Sequence, residues 1–150
     1  MHTEVLRVTQ NIAARSRTLR EQYRRDIDEM ASEPVNRSQL SCGNLAHGMA
    51  SCGVEDKSTI KMMDSANIGI VSAYNDMLSA HQPYYRYPEK LKAYALKQGA
   101  TAQVAGGTPA MCDGVTQGQA GMELSLFSRD VIALSAGVAL SHNVFDAALF

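Results

Sequence analysis

Three short apolar runs, Ile68–Ala73, Thr101–Ala105 and Phe145–Phe150, alternate along this chain with stretches of helical spacing, and that alternation leaves few folds open. Ile68, Ile70 and Val71 are β-branched and suit a buried strand. Between the first two runs, Pro88 at a first helical position, Leu91, Tyr94 and Ala95, and Gly99 as a stop predict a helix from about Pro88 to Gln98. Before the third, Ser128 reads as an N-cap with Asp130 in the first turn, and Phe127, Val131, Leu134 and Val138 share one stripe of a helix reaching about Ser141. Glu55–Ser65 is a shorter helix leading into the first run. Strands and helices in alternation predict an α/β fold, a largely parallel sheet flanked by helices and joined by right-handed crossovers. Such sheets place ligands beyond the carboxyl ends of their strands, which singles out Ser72-Ala73-Tyr74-Asn75-Asp76.

The first 33 residues read as a separate element. Val5, Val8, Ile12, Leu19, Tyr23, Ile27 and Met30 recur at spacings of three and four, predicting one amphipathic helix from about Thr3 to Ala31 that Pro34 ends. Arg15, Arg17, Arg20, Arg24 and Arg25 crowd this helix beside Glu21, Asp26, Asp28 and Glu29, a mixture that reads as a solvated face. The net charge is only -1, so the overall balance favours neither nucleic acid nor an anionic membrane as partner. No apolar run is long enough to span a bilayer and no signal-peptide core opens the chain, which makes the cytoplasm the default compartment. Cys42, Cys52 and Cys112 are an odd set without a secretion signal, and reduced thiols are expected.

Asn36–Gly53 is rich in Ser, Gly and Asn and reads as a long loop with one helical turn through Leu45–Met49. Cys42, His47 and Cys52 have the donor atoms of a zinc site, but their spacing matches no standard finger. The densest chemistry lies in Gln103–Asp130, where Gly106, Gly107, Gly114, Gly118 and Gly121 surround Cys112 and Asp113 ahead of Ser128, Arg129 and Asp130. Glycine at this density lets a ligand approach the main chain. The spacing is neither GxGxxG nor a Walker loop, which disfavours a nucleotide. Asp76 and His81 have the chemistry of an acid/base pair, with a capping Asp and a structurally bonded His as the alternative.

Asp113-Gly114, Gly121-Met122 and Ser125-Leu126-Phe127-Ser128-Arg129 stand in the order seen in the dihydroxy-acid dehydratase and 6-phosphogluconate dehydratase family, which this chain closely resembles. Arg37–Gly48, Tyr74–Tyr84 and Ser141-His142-Asn143 resemble the 6-phosphogluconate branch in particular. The resemblance implies a hydro-lyase that converts 6-phospho-D-gluconate to 2-dehydro-3-deoxy-6-phosphogluconate and water, a step of the Entner–Doudoroff pathway. It further implies an iron–sulfur cluster, of the 4Fe-4S type, as Lewis acid, a divalent cation such as magnesium, and a homodimer.

Carried onto this sequence, Asp113 becomes a cation ligand, Cys112 a weaker candidate for the cluster, and Asn75, Asp76, His81, Ser128 and Arg129 substrate-binding residues. Arg86 and Arg129 are candidates for holding the phosphate, although Arg129 has a structural alternative in pairing with Asp130 or Glu123. His47 stands in a loop near the substrate as a possible donor. No catalytic residue is assigned, because the cluster cysteines and the base are expected beyond Phe150. Where other members carry a cluster cysteine, this chain has Ala80 in Ser79-Ala80-His81-Gln82, so cluster ligation must differ. Residues 34–150 are therefore expected to be the N-terminal part of the α/β domain of a longer, two-domain dehydratase, and this segment alone to be inactive. The alternatives are another sugar-acid or dihydroxy-acid dehydratase of the family, or a module that binds a phosphorylated ligand without chemistry.

Overall fold

A computed structural model describes residues 2–32 and 36–150. The chain divides into two compact units, residues 1–34 and 35–150. The first is a single helix, α1 (Thr3–Ser32), supported by local side-chain pairs such as Arg7 with Glu4 and Gln22 with Asp26. Pro34 and the side chain of Met30 lie outside the described residues.

The second unit holds a three-stranded parallel sheet, β1 (Asn67–Ser72), β2 (Thr101–Gly107) and β3 (Ala147–Leu149), in the order β2-β1-β3. Helix α4 (Tyr87–Lys97) connects β1 to β2, and Gly99 stops it in a left-handed conformation (φ 71°) that favours glycine. Ile70, Ala95 and Ala102 form a buried cluster with Ile68, Leu91 and Ala100 packed against it, so α4 covers this face of the sheet. Gly69 points the other way. A Cβ there would lie 3.0 Å from Cγ of Phe145, so the glycine makes room for the ring. Gly69→Ala is expected to cost about 1–3 kcal/mol through overpacking, measured as a lower midpoint of denaturation at unchanged slope.

Two readings need correction. Asn36–Gly53 is not a long loop: it holds a 3-10 turn (Asn36–Gln39) and a full helix, α2 (Cys42–Met49). Ser41 caps α2 by accepting a hydrogen bond from the Asn44 amide at 3.2 Å, and Gly48 lets it pack against Val144. Helix α3 (Val54–Met62) follows. The second correction concerns α6 (Ser125–Leu140), which connects β2 to β3 and begins before Ser128. Ser128 is inside the helix, its hydroxyl donating to the Ser125 carbonyl at 2.6 Å, and so is not the N-cap. The stripe is also rotated. Phe127, Leu134 and Val138 are exposed, Val131 is half-buried and Ala139 is buried, so three of the four stripe residues face away and Ala139 meets the sheet near Gly106.

A buried polar network ties the amino ends of the strands together. Arg37 is 1% exposed, is ion-paired with Asp146 and donates to the Ser65 carbonyl. Asp146, just before β3, also accepts the Asn67 amide at 2.7 Å. Asn67, fully buried, donates to Gln103 and to the Val144 carbonyl, both at 2.8 Å, and accepts from Thr101 at 2.9 Å. Apart from Nε of Arg37, which has no partner, the buried polar side chains here bond to other segments, which fixes the register of all three strands.

Candidate functional site

The carboxyl ends of the strands frame a cavity of about 290 Å³. Ser72 and Ala73 from the end of β1, Thr108 and Ala110 from the loop after β2, and Leu149 and Phe150 at the end of β3 contribute to its wall. Tyr84, Tyr87, Pro88 and Leu91 close one side. The chain order makes this crevice inevitable: β1 leaves toward β2 on one side of it, while β3 lies on the other.

His81 lines this cavity. It sits in a 3-10 segment (Ser79–Tyr85), with Nδ1 3.1 Å from the Ala73 carbonyl and its ring 4.7 Å from that of Tyr84. In the neutral imidazole, a proton on Nδ1 serves that carbonyl and leaves Nε2 as the free acceptor. No hydrogen bond joins His81 to Asp76. The exposed Asp76 carboxylate instead takes the hydroxyl of Tyr74, so the acid/base pair is not assembled and the alternative for His81, a structural hydrogen bond, holds. The cap assigned to Asp76 is made by its neighbour: Asn75 Oδ1 accepts the amides of Met77 and Leu78, each at 3.0 Å.

The hydrogen bond to Asp76 is the main cause that pushes the Tyr74 phenol above its ordinary pKa, with smaller contributions from desolvation and charge. The sign follows directly. A raised folded-state pKa means that the pair's contribution to stability is present below the ordinary tyrosine range and is lost as pH rises through the raised value. Asp76→Asn is expected to move Tyr74 ionisation back toward the ordinary range, read as the phenolate absorbance step that Tyr74→Phe abolishes.

The glycine-rich loop is less left-handed than its composition suggests. Of its five glycines only Gly118 has a positive φ (73°); at Gly107 a Cβ would lie 3.6 Å from the Ser72 carbonyl, an ordinary contact, so that position does not require glycine. The loop is pinned to β1 by Thr108, whose amide donates to that carbonyl at 2.9 Å. Asp113 opens a one-turn helix, α5 (Asp113–Thr116), is exposed, and accepts the Ser125 hydroxyl at 2.8 Å. Cys112 is half-buried beside it, while Ser128 is turned into its own helix. Arg129 is exposed and pairs with neither Asp130 nor Glu123; neither it nor Arg86 lines the cavity.

His47 takes part in a different crevice, of about 500 Å³, which it shares with Asn44, Ser51 and His142 beside β2. Cys52 accepts from Gln103 Nε2 at 3.0 Å, and burial raises its pKa, as suits a packed thiol. Among the described residues, no group of three His, Cys, Asp or Glu side chains is placed to hold a metal ion. No described helix is long and apolar enough to cross a membrane. Sequence reasoning overlooked Tyr74 and Ser125, the partners of the two candidate carboxylates; a hydroxyl two residues from an Asp was the available signal for the first.

The parallel sheet thus carries a crevice at its carboxyl end, edged by the glycine-rich loop that leads to Cys112 and Asp113. Residues 65–150 match the family described as dihydroxy-acid/6-phosphogluconate dehydratase, N-terminal, and the chain belongs to that family. It is 59% identical over 150 residues to a phosphogluconate dehydratase of Escherichia coli (strain K12), covering 100% of this chain and 25% of that protein. A phosphogluconate dehydratase of Pseudomonas aeruginosa is 58% identical over 149 residues, covering 99% of this chain and 24% of that protein. A dihydroxy-acid dehydratase of Lachnoclostridium phytofermentans is 40% identical over 96 residues, covering 59% of this chain and 16% of that protein. The chain thus spans about a quarter of the length of the phosphogluconate dehydratases it matches.

Proposed function

We propose that these residues form the N-terminal part of a longer hydro-lyase that dehydrates 6-phospho-D-gluconate to 2-dehydro-3-deoxy-6-phosphogluconate, as a cytoplasmic homodimer. The observation that carries this reading is the extent of the match. Identity to phosphogluconate dehydratases runs from 49% to 59% over 95–100% of the chain, against 40% over 59% of it for a dihydroxy-acid dehydratase.

The reaction removes a weakly acidic proton beside a carboxylate and expels hydroxide, so it needs a base and a Lewis acid. An iron–sulfur cluster, 4Fe-4S in this reading, supplies the Lewis acid when bound. The described residues do not by themselves fit such a cluster: Cys42 is exposed, Cys52 is engaged by Gln103, and no three His, Cys, Asp or Glu side chains among them come together to hold a metal. Asp113 offers one of the several oxygen donors that a divalent cation requires. The remaining ligands and the base therefore fall, in this proposal, to the rest of the protein.

What this segment contributes is binding and placement. The cavity at the strand ends is walled by Tyr84, Tyr87 and Leu91 and excludes water from one side of the substrate, while His81 offers it one polar edge. No Lys or Arg lines that cavity, so the phosphate has to be met elsewhere, with Arg86 and Arg129 as the candidates on this segment.

The test is a substrate panel on the full-length protein, reconstituted anaerobically with iron, sulfide and magnesium. Release of the keto acid from 6-phosphogluconate, with pentonates and branched dihydroxy acids turned over at least about a hundredfold more slowly, is the expected result. Preferential turnover of another acid, or tight binding of 6-phosphogluconate without turnover, overturns it.

A further inference from the structure

We infer that Asn75 is a positioning residue that holds the Cys112–Asp113 loop against the end of β1, rather than a group that contacts the substrate. All of its side chain's hydrogen-bonding capacity is committed. Oδ1 accepts the amides of Met77 and Leu78, each at 3.0 Å, and Nδ2 donates to the Ala110 carbonyl at 3.1 Å and to the Ala73 carbonyl at 3.5 Å. Two amide donors on one atom and two carbonyls on the other leave only one way round for the side-chain amide.

The consequence is mechanical. Ala73 also meets His81 Nδ1, and Leu78 O accepts the His81 amide at 2.9 Å, so the acceptor half of Asn75 organises the turn that carries His81. The donor half reaches across to Ala110, two residues before Cys112 and three before Asp113. Together with the Thr108 amide on the Ser72 carbonyl, this side chain sets the spacing between the two edges of the cavity, and its half-buried amide group has no donor left for a ligand. In the dehydratase reading above, on which the kinetic part of this inference rests, that spacing is what a cation on Asp113 and a substrate beside His81 require, because small misplacements of reacting groups are costly.

Asn75→Asp separates the two halves. The carboxylate keeps the acceptor for Met77 and Leu78, loses the donor, and faces the Ala110 carbonyl with like partial charge. In the full-length protein, amide hydrogen exchange over residues 108–116 is expected to accelerate by about tenfold, with β1 and α4 unchanged and the melting temperature close to that of the parent. The value of kcat for 6-phosphogluconate should fall by about tenfold or more with little change in KM, whereas loss of a substrate contact would raise KM. Unaltered exchange over 108–116, or an increase spread uniformly through the protein, overturns the inference. If the parent protein does not dehydrate 6-phosphogluconate, the proposed function fails, and the exchange comparison still decides the role of Asn75.

Discussion

Asp146→Ala in the full-length protein lowers its stability by about 3–5 kcal/mol while leaving the crevice at the other end of the sheet intact. Removing this carboxylate strips Arg37 of its ion-pair partner, and the guanidinium is too deeply buried to recover its hydration. The Asn67 amide loses its acceptor in the same step, so the first residue of β1 is released as well. The effect greatly exceeds that of an exposed pair such as Lys92 with Glu89, which is worth about 0.2–1 kcal/mol. Chemical denaturation measures it as a lower midpoint. A shift of under about 1 kcal/mol would mean that water replaces the carboxylate and that the network is not what holds the strand ends. Arg37→Met together with Asp146→Leu should recover much of the loss, because a paired removal leaves no buried charge behind.

Asp113→Ala has the opposite profile. The residue is exposed and its side chain bonds to one hydroxyl, that of Ser125, so stability should move by no more than about 0.5 kcal/mol. If Asp113 holds the divalent cation of a dehydratase, turnover of 6-phosphogluconate should fall by on the order of 100-fold, the upper end of what losing even an outer partner of a bound metal costs. The magnesium concentration for half-maximal rate should rise in parallel. Titrating magnesium at saturating substrate, beside a thermal melt of the same preparation, reads both effects. Intact turnover with a melting point several degrees lower would make Asp113 a structural partner of Ser125 and nothing more.

The two variants map onto the two ends of one sheet, and those ends were not equally legible in the sequence. The strands declared themselves through β-branched Ile68, Ile70 and Val71 and through Pro88 and Gly99, which act locally. Helix α2 was obscured because Gly43 and Gly48 lower intrinsic helicity; its cap at Ser41 and its packing on Val144 override that penalty. The outward stripe of α6 misled for a related reason. Apolar residues lie on both sides of that helix, and periodicity alone cannot say which side meets the sheet.

Among the candidate site residues, His81 lines the crevice, and the loops that carry Asn75 and Cys112–Asp113 stand at its edges. Asp76 is bonded to Tyr74, Ser128 to its own helix, and Asn75 to four backbone groups. A hydrogen bond between residues 35 positions apart, such as Asn75 to Ala110, leaves no periodic trace in the sequence. The sequence by itself therefore determined the α/β alternation, the strand ends where a ligand would sit and the family, because each of these is written in local propensity or in contiguous motifs. Only the tertiary structure decided which polar side chains remain free for chemistry and which are consumed in holding the loops, since that depends on which carbonyl or amide the fold brings within about 3 Å of each.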